Sequence, residues 1–353
     1  MKSPPQKSEI SLREAAEKAV RQCIADVPGV TVEFGTAEAT VGKGMRADWL
    51  GTIRTKKQTR PLIIELKNNG QPSFVRAGVN ALVRMRSETP NAYGIFVAPF
   101  ISEESAKILA DDEIGFVDFA GNCRISFDDV YIRREGRSNR FTEKRDLRSL
   151  YSPKAERVLR VLMADPRKEW KVEPLAKQAG VSLGQVSNVK KLVEAREWTK
   201  RGKQGFALTE PGKLLAEWSD MYRRRTPGSF ECYALESLAE IERRVAGREA
   251  RGVLTGFSAA ARMAPAVRYQ RVTAYAPERA EAFISQLKFK RVTSGGNLLV
   301  IDPYDDGVFI GSQELGGVKL VSALQAYLDL QSMEGRGQEA ADALLRGTLE
   351  PIW

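Results

Sequence analysis

The sequence predicts an α/β (α+β multidomain) protein: a mixed-sheet domain first, a helical segment closed by a hairpin in the middle, and an α+β domain last. Three observations predict it. Helix-period and period-two apolar runs alternate through residues 8–135, three amphipathic helix-length segments precede a short hairpin within 153–225, and short strands and helices alternate again from 229 to 353. At 353 residues the chain is too long for one ordinary core, and its length implies two or three domains. With 42% hydrophobic and 28% charged residues it falls among folded globular chains rather than disordered ones.

The 55 Lys and Arg outnumber the 45 Asp and Glu, for a formal charge of +10, which favours an anionic partner. No apolar run approaches the roughly 18 residues of a membrane span. Met1 to Lys7 carry two prolines and two lysines with no apolar stretch after them, so neither a secretory signal nor a membrane is expected. Double-stranded DNA is the expected partner. Cys23, Cys123 and Cys232 are too far apart for a zinc site or a disulfide framework and fit a reducing cytoplasm. The absence of histidine removes Ser-His-Asp and Cys-His nucleophile systems and His-ligated metals, leaving carboxylates, lysine and oxygen-liganded metal.

In chain order, Leu12, Ala16, Ala19, Val20, Cys23, Ile24 and Val27 recur at helical spacing over 8–27, with Ser8 and Ser11 as candidate caps and Pro28-Gly29 as the stop. Glu17 flanks that stripe and Glu9 lies near its start. Thr31 to Phe34 reads as a strand. Arg46 to Thr55 goes out, Lys56 to Gln58 turn, and Pro61 to Lys67 return as a hairpin. A strand alternates its faces, so Ile63, Glu65 and Lys67 share one face and Leu62, Ile64 and Leu66 the other. With Asp48 on the partner strand, Asp48 and Glu65 can hold a hard cation such as Mg2+ or Mn2+, which takes oxygen ligands and keeps several waters. Lys67 beside them would orient an attacking water, a set suited to phosphodiester hydrolysis. The plain alternative is a solvated Glu-Lys pair. Residues 73–88 read as a helix with Arg76, Arg84 and Arg86 outward, Ala92 to Ala98 as a buried strand, Glu103 to Asp111 as a helix, Gly115 to Phe119 as a strand, and Val130 to Arg133 as the last strand.

This element order, with the Asp on the second strand and Glu-x-Lys on the third, resembles the PD-(D/E)xK restriction-endonuclease-like superfamily over residues 8–135. The resemblance implies Asp48 and Glu65 as metal ligands, Lys67 as the catalytic lysine, and an additional helix acid, Glu17 ahead of Glu9. Ala47 stands where the family motif has Pro, and Asn80 where many nucleases carry Gln. Asp118, Gly121 and Asn122 read as a tight turn between strands.

Residues 136–152 form a basic linker, with Arg137, Arg140, Lys144, Arg145 and Arg148 following Arg133 and Arg134; a basic arm of this kind can touch phosphates. Lys154 to Met163, Val172 to Ala179 and Ser182 to Ala195 read as three helices, with Gly180 ending the second and Ser182 capping the third. Ser182, Gln185, Ser187, Asn188, Lys190 and Lys191 are left outward, where amides can pair with adenine edges and lysines can reach guanine or phosphate. Trp198 to Arg201, a Lys203-Gln204-Gly205 turn and Phe206 to Thr209 form a two-stranded wing carrying Arg201 and Lys203, and a helix runs from Pro211 to Arg223. Leu-Ala-Lys-Gln-Ala-Gly-Val-Ser at 175–182 and this layout resemble the winged helix-turn-helix family over residues 153–222.

From 229 onward, Glu231 to Val245 reads as a helix. Gly252 to Gly256, Arg271 to Tyr275, Asn297 to Ile301 and Val308 to Ile310 read as strands, and Ser322 to Leu330 and Gln338 to Arg346 as helices. Gly252 to Ala260, Leu324 to Leu330 and Gly335 to Ala341 resemble the C-terminal domain of AbiE-type antitoxins of type IV toxin-antitoxin systems. That resemblance implies a nucleotidyltransferase-like α+β domain, autorepression and a cognate toxin as partner. Gly256-Phe257-Ser258 and the acids Asp302, Asp305 and Asp306 are expected to be turns without transferase chemistry.

The expected function is DNA binding with metal-dependent phosphodiester cleavage by the N-terminal domain, directed by the winged helix. The alternative is a non-catalytic transcriptional regulator or type IV antitoxin-like repressor that uses an inactive nuclease fold for DNA or partner binding; a homodimer is a candidate assembly under either reading.

Overall fold

The computed structural model describes residues 6–42, 44–138 and 150–353. Arg140, Lys144, Arg145 and Arg148 of the basic linker lie outside the described residues, as do the side chains of Ser8, Glu9 and Ser11. The chain divides into two compact units, Met1–Leu147 with Ala195–Glu197, and Arg148–Glu194 with Trp198–Trp353.

The first unit runs α1 (Gln6–Ile24), β1 (Thr31–Val41), β2 (Met45–Arg54), β3 (Thr59–Leu66), α2 (Pro72–Glu88), β4 (Tyr93–Ala98), α3 (Glu103–Asp111), β5 (Gly115–Asp118), β6 (Cys123–Phe127) and β7 (Val130–Arg134). The strands form one sheet in sequence order. Strands β1 to β3 are antiparallel, β3 to β5 parallel, and β5 to β7 antiparallel. This is the mixed sheet expected, with helices between the parallel strands because a parallel pair needs a crossover. Strand β1 is longer than its apolar start suggests: past an irregularity between Phe34 and Ala37 it pairs on to Met45. The short polar stretch Glu38-Ala39-Thr40 hid that extension.

The sheet has two apolar faces. On one, Ala16, Val20, Cys23 and Ile24 of α1 meet Leu62, Ile64, Ile95 and Ile125. On the other, Val75, Val79 and Leu82 of α2 and Ile108 and Leu109 of α3 meet Ile63, Phe96 and Phe116. Glu65 shares the parity of Ile63 and therefore points toward α2. Helix α2 comes close enough to cover it because residue 78 is glycine: a Cβ there would stand 2.4 Å from the Phe96 ring and 3.6 Å from Glu65 Cγ. Phe96 is fully buried and has nowhere to go. Gly78→Ala is expected to cost about 1–3 kcal/mol by overpacking, read as a lowered denaturant midpoint; an unchanged midpoint would mean that α2 is free to lift.

The second unit begins with α4 (Pro153–Ala164), α5 (Val172–Ala179), α6 (Leu183–Ala195), the hairpin β8 (Thr199–Arg201) and β9 (Phe206–Leu208), and α7 (Pro211–Tyr222). Gly180 ends α5 at φ +62°, the left-handed cap that glycine adopts without strain. Ser182 Oγ accepts the Gln185 N–H at 3.2 Å, the expected N-cap. Then follow β10 (Ser229–Tyr233), α8 (Leu238–Ala246), β11 (Val253–Leu254), α9 (Gly256–Met263), β12 (Val272–Tyr275), α10 (Ala280–Gln286), β13 (Lys290–Arg291), β14 (Leu298–Ile301), a 3-10 turn (Asp306–Phe309), β15 (Gln313–Leu315), β16 (Val318–Leu320), α11 (Ala323–Leu330) and α12 (Gly337–Leu344). The seven strands β10 to β16 make a mixed sheet ordered β13-β10-β14-β12-β11-β16-β15.

Two expectations are corrected here. The helix expected over Glu231 to Val245 starts only at Leu238, because residues 229–232 pair with β14 and the Glu240 carboxylate accepts the Ser237 N–H at 2.9 Å, fixing the helix start. Ser-x-x-Glu is a capping signature that the apolar pattern outweighed. The strand expected at Val308 to Ile310 is the 3-10 turn, set by Asp305 Oδ1 accepting the Gly307 N–H at 2.7 Å.

The sequence also places a boundary between 225 and 229, whereas residues on both sides of it share one buried polar network. Glu156 of α4, fully buried, accepts hydrogen bonds from Trp218 Nε1 at 3.0 Å, Arg225 at 2.6 Å and the Tyr304 hydroxyl. Arg160, 2% exposed, donates to Gln325 Oε1 at 2.6 Å and to the Tyr304 hydroxyl at 2.7 Å, with its guanidinium 5.1 Å over the Trp218 ring. Asp329 accepts from Tyr222 at 2.7 Å and Tyr275 at 2.9 Å. Buried charges persist only when paired and hydrogen-bonded, so α4 and α7 are fixed against the sheet that follows.

Candidate functional site

Strand β2 and the end of β3 bring Asp48, Glu65 and Lys67 together. The β2-β3 ladder stops at Trp49↔Ile64, and the next strand N–H, that of Leu66, is accepted by the Asp48 carboxylate at 2.7 Å. Alternation breaks at this point: Ala47 lies in the cluster under α2, while Trp49 lies in the one under α1. Asp48 thus replaces a backbone acceptor through Oδ2. Lys67 lies just past β3, its N–H bonded to Val97 O at 2.9 Å. Its ammonium contacts Glu65 Oε1 and stands 3.8 Å from Asp48 Oδ2.

Glu65 is buried, while the Asp48 and Lys67 side chains are each about a third exposed. Burial pushes the Glu65 carboxyl above its ordinary value, against the bond to Lys67, which pulls it down. The three groups therefore form a part-exposed polar cluster with one ammonium between two carboxylates. The donor set fits a hard divalent ion: two oxygen ligands from protein suffice for Mg2+, which completes its shell with water. Among the described residues no group of three or more Asp, Glu, Cys or His gathers for a metal, so any ion here would rest on these two carboxylates.

Glu17 is not brought to this place. Its carboxylate accepts from Arg21 at 2.7 and 2.9 Å, and α1 covers the opposite face of the sheet from Ile63 and Glu65. The expectation that Glu17 adds a third acid is corrected by that i,i+4 pair and by which face α1 packs on. Its alternate, Glu9, lies outside the described side chains. The loop after Lys67 is held by a group that sequence reasoning missed: the buried Ser105 hydroxyl of α3 donates to Gly70 O at 2.8 Å. Gly70 itself lies so close to Phe100 that a Cβ would meet Phe100 O at 2.1 Å.

A second candidate surface lies on α6. Val186, Val189 and Val193 are buried. Ser182, Asn188 and Lys191 are exposed, and Gln185, Ser187 and Lys190 half-buried. Lys190 reaches Glu194 at 3.4 Å and lies 5.5 Å over the Phe206 ring of the β8-β9 hairpin. Arg201 and Lys203 are exposed on the hairpin. Beside the start of α6 is a cavity of about 500 Å3 lined by Lys154, Lys177, Ser182 and Gln185. Lys154 and Lys177 had no sequence signal, since only the folding of α4 and α5 against α6 places them there. In the C-terminal sheet, Asp302 accepts the Ala280 N–H at 2.7 Å, Asp305 pairs with Arg157 at 2.5 Å, and Ser258 Oγ accepts the Thr273 N–H at 3.1 Å. Those groups serve caps and turns, and do not converge.

Two solved structures are similar in part. A repair endonuclease from Pyrococcus abyssi is 22% identical over 29% of this chain and 46% of its own, with a TM-score of 0.22. The EndoMS-dsDNA2 complex is 22% identical over 30% and 44%, with a TM-score of 0.23. The chain thus spans less than half the length of either. No curated protein matches it. Among the described residues, no helix is long and apolar enough to cross a membrane. The family described as transcriptional regulator, AbiEi antitoxin, type IV TA system matches residues 207–349, from the hairpin strand β9 to Leu349.

Proposed function

We propose that this protein is a DNA-binding transcriptional regulator of the type IV antitoxin kind, in which α6 and the wing contact the duplex. The observation that carries this reading is that the family match at 207–349 begins inside the hairpin that follows α6 and lies in the same compact unit as α6. Ser182, Gln185, Ser187 and Asn188 offer hydroxyls and amides to base edges and phosphates, and Lys190, Lys191, Arg201 and Lys203 offer charge to the backbone. A cognate toxin is the protein partner that this kind of regulator implies.

Binding to a duplex selected by the full chain from a random pool tests the reading. Gln185→Ala is expected to cost about 1–3 kcal/mol on the selected sequence and less on unrelated DNA. Lys191→Ala should weaken both alike and reduce the slope of log affinity against log salt by about 1. If both variants bind like the parent, α6 does not read DNA.

A second reading, metal-dependent phosphodiester cleavage by the first unit, is favoured by the convergence of Asp48, Glu65 and Lys67. Asp48 and Glu65 would hold Mg2+ or Mn2+, which supplies charge neutralisation at a phosphate when bound. Lys67, standing between the acids, would orient a water and face the phosphate oxygens.

A further inference from the structure

The first unit holds a second polar constellation that the reading above does not use. Asp118 and Asn122 are buried, at 0% and 5% exposure. Asp118 accepts the backbone and side-chain N–H groups of Asn122, both at 2.8 Å, and the Ile101 N–H at 3.2 Å. Asn122 in turn clamps the backbone of residue 137 from both sides: its Oδ1 accepts the Arg137 N–H at 2.9 Å and its Nδ2 donates to Arg137 O at 3.1 Å. Burial raises the Asp118 carboxyl above its ordinary value, a cost that a simple turn does not require. The turn carries glycine at 121, at φ +96°, and a Cβ there would meet Arg137 Nη1 at 2.7 Å. Together these groups fix the Arg137 backbone, and its guanidinium lies over Gly121.

Next to it, Phe116, Arg124 and Arg133 stand directly across from one another on β5, β6 and β7. Two arginines opposed on neighbouring strands repel each other. Arg133 is relieved by Glu135 at 2.7 Å, whereas Arg124 makes no ion pair among the described residues. Lys107 of α3 completes the ring of cations around a cavity of about 710 Å3 floored by Phe100 and Phe116, a volume suited to a small ligand. Glu103 and Asp111 on α3 are the other acids there, and both are exposed. The cavity runs along α3 from Glu103 to Asp111, over Phe116, Arg124 and Arg133, with Phe100 and Ile101 just past β4 at one end.

We infer that this cavity is an anion site taking the phosphate of a nucleotide between Arg124 and Arg137, over the Phe100 and Phe116 floor. The phosphate answers the charge of Arg124, which Glu135 offsets from a distance without pairing to it, and the fixed backbone of Arg137 brings a second guanidinium to the same cavity. The nucleotide is either free or the end of a strand.

The test follows thermal unfolding of the full chain with inorganic phosphate, thymidine 5′-monophosphate, or a 5′-phosphorylated oligothymidylate, each against sodium chloride of equal ionic strength. At ligand concentrations about tenfold above Kd the parent is expected to gain about 3 °C, and Arg124→Gln/Arg137→Gln to gain nothing. Without ligand, Arg124→Gln alone is expected to raise the midpoint by about 1–2 °C by relieving the opposed pair; a residue with only a structural role would lower it. An oligothymidylate bound at least tenfold tighter by parent than by double variant supports a strand end, and equal affinity for nucleotide and oligonucleotide supports a free nucleotide. Equal stabilisation of parent and double variant by phosphate, or stabilisation matched by chloride, overturns the site. Because Gln185 and Lys191 are intact in every variant, failure here leaves DNA reading by α6 to its own test.

Discussion

Glu156→Ala is expected to lower the unfolding midpoint of the protein by about 10 °C, the equivalent of roughly 3–5 kcal/mol. The carboxylate is fully buried, and three donors plus the Arg160 guanidinium at 3.6 Å depend on it. Removing it leaves Arg160, itself 2% exposed, as a buried cation beside neutral acceptors only. An unpaired buried charge costs far more than the pair contributes when intact.

The same logic predicts the rescue. Glu156→Leu with Arg160→Met removes both buried charges together and should recover part of the loss, since the buried cation is no longer stranded while Trp218, Arg225 and Tyr304 still lack their acceptor. Calorimetry of parent, both single variants and the double variant closes the cycle. Additive losses would show that the two charges do not sense each other. The functional consequence follows from position: α4 is the first helix of the segment that carries α6, and Tyr304 and Gln325 belong to the family-matched region. DNA affinity should fall with stability in the single variants and return in part in the double one.

Little of that network was legible in the sequence. Glu156 and Arg160 lie four apart in a helix, a spacing equally at home on an exposed face. Only the return of Tyr304 and Gln325, some 145 to 165 residues later, buries them. By contrast the β2-β3 hairpin and its Glu-x-Lys were plain, because a period of two fixes both the faces and the turn. Asp48 stands on the strand the pattern predicts, but its hydrogen bond to the Leu66 N–H at the end of the ladder is not visible in the sequence, since register is a tertiary fact. Glu17 failed for a reason the sequence did contain: Arg21 four residues on is a ready partner. The Asp118 to Asn122 turn was read as a turn, and nothing in its spacing revealed that it grips Arg137 fifteen residues away.

Glu65→Gln should reduce Mg2+- or Mn2+-dependent nicking of supercoiled plasmid by roughly 10²–10³-fold, and Lys67→Ala by a similar factor, if the Asp48, Glu65 and Lys67 pocket cleaves DNA. The direction of the Glu65 shift adds a pH dependence. Its folded value lies above its unfolded one because burial dominates. The folded state therefore holds the proton more tightly, and this group's stabilising contribution is full below the unfolded value and lost as pH rises through the folded one. Two results follow. Cleavage, which needs the ionised ligand, should increase with pH through a value above the ordinary one for a glutamate. Glu65→Gln, which stays neutral, should unfold at a higher temperature than the parent near neutral pH and lose that advantage in acid. Lys67 is a third exposed and keeps Asp48 at 3.8 Å, so removing its carboxylate neighbour does not strand it. A pocket chosen for stability alone would show the reverse, with the glutamine variant weaker at neutral pH. Persisting nicking in all three variants, including Asp48→Asn, would mean that the cut comes from elsewhere.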